Sequence, residues 1–93
     1  MKLNKKDINK IFNYFGYDAQ VKKLNEEFFE VTEALVLKNR EMAVEEIADV
    51  LVVLEGIKEH YKISDVELLE VAESKVDRTI RKVAKSRKHL LKK

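Results

Sequence analysis

EMAVEEIADVLVVLEGIKEH, residues 41–60, is the stretch that decides the fold. Ile47, Val50, Leu51, Val53, Leu54 and Ile57 recur at helical spacing over a run far longer than an ordinary strand, so residues 41–60 read as one helix. From Val50 to Leu54 the helix is apolar on every side, the mark of an element covered all round. The run is still too short to span a bilayer.

Working outward, the same periodicity fills nearly the whole chain. Asn39 and Arg40 are the only loose residues before this helix. A preceding helix runs to about Lys38, opened by Asp18 as its cap, with Val21, Leu24, Phe28, Val31 and Leu35 on one stripe. Before that, Asn4 caps a shorter helix from about Lys5 to Phe15, carrying Ile8, Ile11, Phe12 and Phe15, and Gly16 stops it. After the central helix, Ser64-x-x-Glu67 has the form of a capping box. Leu68, Leu69, Ala72, Val76, Ile80, Val83 and Ala84 continue a fourth helix. All four phenylalanines lie in the first 29 residues, which makes the first two helices the aromatic half of the expected core. The reading is a single all-α domain over residues 1–93.

A chain of 93 residues buries only a little over ~60% of the surface its unfolded form exposes. Its core is therefore thin, and full burial of the Val50 to Leu54 segment calls for a subunit interface. A homodimer or a dimer of dimers packed on the third helix is expected. The absence of cysteine and proline and the presence of two glycines fit an unbroken helical chain without a disulfide framework or thiolate site. The amino terminus lacks the apolar stretch of a signal peptide, so a soluble, cytoplasmic protein is expected. Residues 78–93 hold eight Lys/Arg and no acid, while residues 1–77 carry 11 basic and 17 acidic groups, a net −6. A basic terminus is favoured by the helix dipole and also offers phosphate contacts to a nucleic acid.

Chemistry concentrates in two acidic signatures, Glu26-Glu27-Phe28-Phe29-Glu30 and Glu45-Glu46-Ile47-Ala48-Asp49. Positions three apart on a helix are neighbours, so Glu27 with Glu30, and Glu46 with Asp49, each form a pair on one face. If the two helices run antiparallel, the pairs meet. Converging carboxylates repel one another and are costly to desolvate, and Mg²⁺ suits them best because its sites combine a few carboxylates with water and substrate phosphates. An isolated Glu-x-x-Glu is usually just solvated. Here both pairs flank apolar stripes, and Asp49 adjoins the most apolar segment, where a charge needs a partner. An ion pair of Asp49 with Lys75 or Arg78 is the structural alternative. His60 and His89 share no ligand spacing and read as surface residues, and no glycine-rich phosphate loop is present.

Gly16-x-x-x-Gln20, Glu26-Glu27-x-x-Glu30, Glu45-Glu46-Ile47-Ala48-Asp49-Val50 and Lys75-x-x-Arg78-Thr79, in that order, resemble the short bacterial and phage branch of the MazG-like all-α nucleoside triphosphate pyrophosphohydrolases, over residues 15–82. The resemblance implies a four-helix-type bundle whose four acidic positions, Glu27, Glu30, Glu46 and Asp49, bind one or two Mg²⁺ ions, with Mn²⁺ as a substitute. It implies hydrolysis of a (deoxy)nucleoside triphosphate between its α- and β-phosphates. Better characterised relatives carry Lys-x-x-x-Asn-x-x-Arg after the third helix; this chain has Lys75-x-x-x-Thr79-x-x-Lys82. Tyr14, Phe15 and Tyr17 are candidates for the aromatic residues that sandwich a base in some relatives, with core packing the alternative for Phe15.

The expected activity is therefore Mg²⁺-dependent release of monophosphate and pyrophosphate. In that reading Lys75 and Arg78 clamp phosphates, Gln20 orients a ligand or phosphate, and Glu26 takes the proton of the attacking water. Glu26 and Glu45 adjoin the acidic pairs. Phosphoribosyl-ATP hydrolysis uses the same carboxylates and stays open. So does a non-catalytic module that binds nucleic acid through the basic tail.

Overall fold

The computed structural model describes residues 2–91, with side chains as far as Arg87. It is all-α, with four helices: α1 Lys5–Phe15, α2 Tyr17–Val36, α3 Arg40–His60 and α4 Asp65–Leu91. Among the described residues no helix is long and apolar enough to cross a membrane. The chain divides into two compact units, Met1–Lys62 with the first three helices and Ile63–Lys93 with the fourth.

Helices α1, α3 and α4 begin where a short polar side chain accepts an otherwise unpaired backbone N–H. Asn4 Oδ1 accepts from the Asp7 N–H at 3.1 Å, and Asn39 Oδ1 accepts from that of Met42 at 3.1 Å. Asp18 was expected to cap α2, but the helix opens two residues earlier, at Tyr17, with Gly16 in the capping position and no side-chain cap. Gly16 does both jobs at this junction. Its N–H donates to the Phe12 carbonyl at 2.8 Å and closes α1, and its φ of 89° lies in the region that favours a residue without Cβ, turning the chain straight into α2. Between α2 and α3, Leu37 and Lys38 form the turn and Asn39 is the cap, a connection of three residues that starts two residues before the loose Asn39-Arg40 expected.

In the first unit, α3 packs against both α2 and α1. The core is Ile8 and Phe12 of α1, Ala34 of α2, and Val50 and Val53 of α3. Phe12 lies over Gly56, where a built Cβ would stand 3.2 Å from the Phe12 ring, so the missing side chain sets how closely α1 approaches α3. The α3 segment expected to be covered all round is covered only in part. Val50 and Val53 are buried, Leu51 and Val52 are half-buried, and Leu54 is exposed, because α1 and α2 leave one side of α3 to solvent.

The buried face of α2 also differs from the expected stripe. Val21, Phe28 and Leu35 are exposed, and so is Phe29. The side turned inward is Gln20, Leu24, Glu27, Val31 and Ala34, of which Gln20, Glu27 and Ala34 are buried and the other two half-buried. This line has the 3.5-residue spacing of a helix packing seam, but two of its five positions are polar. Of the four phenylalanines only Phe12 is buried.

In the second unit, Ser64 Oγ accepts from the Glu67 N–H at 3.1 Å and starts α4 as expected. Farther along, Thr79 Oγ1 donates to the Lys75 carbonyl at 2.9 Å. The basic run continues beyond the described residues at Lys92 and Lys93, and the side chain of His89 lies outside them too.

Candidate functional site

The short turn at residues 37–39 folds α3 back along α2, and residues equidistant from Lys38 face each other across the hairpin. Glu30 meets Glu46 and Glu27 meets Asp49. Carboxylate oxygens of Glu27, Glu46 and Asp49 all lie within 4.8 Å of one another, and Glu30 is hydrogen-bonded to Glu46. The four expected acids therefore converge as the antiparallel pairing of the two acidic signatures requires.

Three of the four differ sharply in environment. Glu27 is 2% exposed; its Oε1 accepts from Lys23 Nζ at 2.9 Å, and its buried Oε2 has no hydrogen-bond partner among the described residues. Glu46 Oε2 is likewise buried and unpartnered. The hydrogen bond with Glu30, loss of water, and the negative charge of Glu30, Asp49 and Glu27 push the Glu46 carboxyl up to about 7, so near neutrality a proton on Glu46 relieves part of the repulsion. Asp49 is exposed; Lys75 and Arg78, the ion-pair partners considered for it, belong to the other compact unit.

Buried oxygens without partners are expensive unless something outside the chain completes them. Two oxygens on one Mg²⁺, each about 2.1 Å from it, stand at most about 4.2 Å apart. Only one pair among three ligands can stand opposite, and adjacent ones are about 3.0 Å apart, so carboxylates within 4.8 Å of one another must draw inward to bind. The donor set is all oxygen, which suits a hard cation, and Glu27, Glu46 and Asp49 with Glu30 beside them fit Mg²⁺ or Mn²⁺.

Beside the cluster opens a cleft of about 430 Å³, within the size range of small-molecule sites. Ile11, Phe15, Ala19, Val52 and Val53 give it an apolar wall, and Gln20, Lys22, Lys23, Glu26, Glu27 and Asp49 a polar one. Gln20 is only 6% exposed and lines the polar side of this cleft. Phe15, for which core packing was the alternative, is exposed and lines this cleft. Tyr14 is exposed and does not line it, while Tyr17 joins a different aromatic group. There His60 stacks on Phe12 at 4.9 Å and contacts Tyr17 and Tyr61, and the Tyr17 and Tyr61 hydroxyls share a hydrogen bond of 2.5 Å. His60 is exposed, as expected, but it is one member of a ring cluster that ties the end of α1, the start of α2 and the end of α3 together.

Of the other expected residues, Glu26 lines the cleft, whereas Glu45 is exposed and does not. Lys75 and Arg78 belong to α4, where they share one shallow depression with Glu70, Val71 and Ser74. Sequence reasoning missed Lys22 and Lys23, both on the wall of this cleft. For Lys23 the spacing from Glu27, four residues on the same helix, was the available signal. Comparison with protein-family models, with curated proteins and with solved structures gives no match. Of the resemblance noted in the sequence, the structure bears out an all-helical chain with an acidic cluster.

Proposed function

We propose that the chain is a Mg²⁺-dependent nucleoside triphosphate pyrophosphohydrolase that releases monophosphate and pyrophosphate. One observation carries the reading: three carboxylates within 4.8 Å of one another, two of which line a cleft of about 430 Å³ together with two lysines. Glu27, Glu30, Glu46 and Asp49 would hold the cation. When bound, it supplies positive charge to phosphate oxygens and lowers the pKa of a coordinated water. The rest falls to the chain. Phe15 and the neighbouring aliphatic side chains exclude water from the flat part of a nucleotide, and the Gln20 amide offers that part a donor and an acceptor. Lys22 and Lys23 attract the phosphates. In the hydrolytic step a water oxygen bonds to the α-phosphorus, the bond to the bridging oxygen breaks, and pyrophosphate leaves with the electron pair. Glu26 takes the proton of the water.

The test is a panel of ribo- and deoxynucleoside triphosphates and phosphoribosyl-ATP, incubated with Mg²⁺ and assayed for both products. Equimolar monophosphate and pyrophosphate are expected, lost in EDTA and in Asp49→Asn. Release of orthophosphate, or no turnover on any member, sinks the proposal. Turnover of phosphoribosyl-ATP alone would move it to that substrate. Salt-sensitive retention of DNA or RNA without turnover would favour the basic-tail module instead.

A further inference from the structure

The Lys23–Glu27 pair has an odd construction. The carboxylate is 2% exposed and the ammonium side chain 52%, so a buried acid is neutralised from the water side by a stem that is free to move. Its order along the helix, Lys before Glu, is the less stabilising orientation for a pair four residues apart, so helix stability does not account for it. The acid also belongs to the cluster, and the lysine also lines the cleft. Glu26 and Glu30 add their negative charge around the same ammonium. A lysine suits a changing partner better than an arginine, because its charge is compact and its three donors rotate freely.

We propose that Lys23 is an exchangeable counter-ion: it neutralises Glu27 while no cation is bound, is released when a divalent cation binds the cluster, and then takes an anionic phosphate group in the cleft it lines. The inference rests on the cation reading above. One feature besides the cluster marks the place as a ligand site: Glu27 is 2% exposed and its buried Oε2 has no hydrogen-bond partner among the described residues, while Gln20, 6% exposed, lines the polar wall of the same cleft. Like charge drives the release, since a divalent cation on Glu27 repels an ammonium 2.9 Å from the same carboxylate. Moving into the cleft, the ammonium meets the anion that the cation attracts.

The test uses the full chain and calorimetric titration with MgCl₂ or MnCl₂ alone, then with pyrophosphate at saturating Mg²⁺. Lys23→Met should bind the cation roughly two- to fivefold tighter, the equilibrium equivalent of losing a competing half-exposed ion pair, and pyrophosphate more weakly. Lys23→Gln, which keeps a hydrogen bond to Glu27 without the charge, should follow the same two directions, and Lys23→Arg should retain anion binding. Removing the lysine charge tightens cation binding even if Lys23 never moves, so the exchange itself is read from the Lys23 ammonium by NMR of lysine-labelled protein: its signal should move to that of a solvated lysine on addition of MgCl₂. A Lys23 signal that MgCl₂ leaves at its ion-paired position overturns the exchange. Unchanged pyrophosphate affinity overturns the second half. Absence of saturable cation binding in the wild type and all variants defeats the cation reading itself, and is distinct from either result.

Discussion

Glu46 carries the clearest single-residue consequence. Its carboxyl, ordinarily near 4.5, is pushed up to about 7 by the hydrogen bond with Glu30 and then by burial and neighbouring charge. The folded state therefore holds this proton more tightly than the unfolded state, and stability falls with rising pH wherever that holds. The contribution is complete below about 4.5, is lost as pH rises through about 7, and changes no further above that. Glu46→Gln mimics the protonated acid and lets an amide N–H donate to Glu30. In EDTA, thermal unfolding between pH 4.5 and 8 should fall more steeply for wild type than for Glu46→Gln, and the variant should be the more stable of the two at pH 8. Parallel curves would show that the Glu30–Glu46 proton does not govern stability. Mg²⁺ should raise the wild-type midpoint by mass action and raise it less at low pH, where the proton competes. This convergence was legible in the sequence, because spacings of three residues in two helices leave little freedom in where the acids point. Gln20 was harder to place. Nothing in its neighbours distinguishes a buried amide from an exposed one at a helix start.

At the scale of elements, the turn at residues 37–39 sets which acids meet. Asn39 holds it by accepting the Met42 N–H at 3.1 Å, and Lys38 turns the chain with φ 54°. Asn39→Ala should cost about 1 kcal/mol of stability, the usual worth of such a cap, read as a lower urea midpoint at constant slope. It should also weaken Mg²⁺ binding, whereas Asn4→Ala, which removes the α1 cap, should lower stability and spare the cation. An equal effect of both on cation affinity would detach the turn from the site. Helix limits were legible to within a residue or two because Asn4, Gly16, Asn39 and Ser64 are punctuation with a mechanism. The inward face of α2 was not. Val21, Phe28 and Leu35 form the more apolar line, yet the face against α3 carries Gln20 and Glu27. Hydrophobic pattern alone assigns the wrong face when a helix commits polar residues to its packed side.

The same reversal bears on the whole molecule. Phe28 is 49% exposed and lies with Val21 and Leu35 on a line outside the core, and Leu54 adds exposed apolar surface on α3. We expect a second copy of the chain to cover such surface, with oligomerisation drawing on α2 as well as on the third helix. Light scattering at micromolar concentration should give at least a dimer, and Phe28→Ser should shift the mass toward monomer. A monodisperse wild-type monomer would refute this.

The hairpin of α2 and α3 places every acid of the cluster between residues 27 and 49, a short and uninterrupted stretch of the message. Contacts that are local along the chain form early, and chains are made from the amino terminus. During synthesis, the acids can therefore come together while α4 is still leaving the ribosome, since none of them waits on a residue after Asp49.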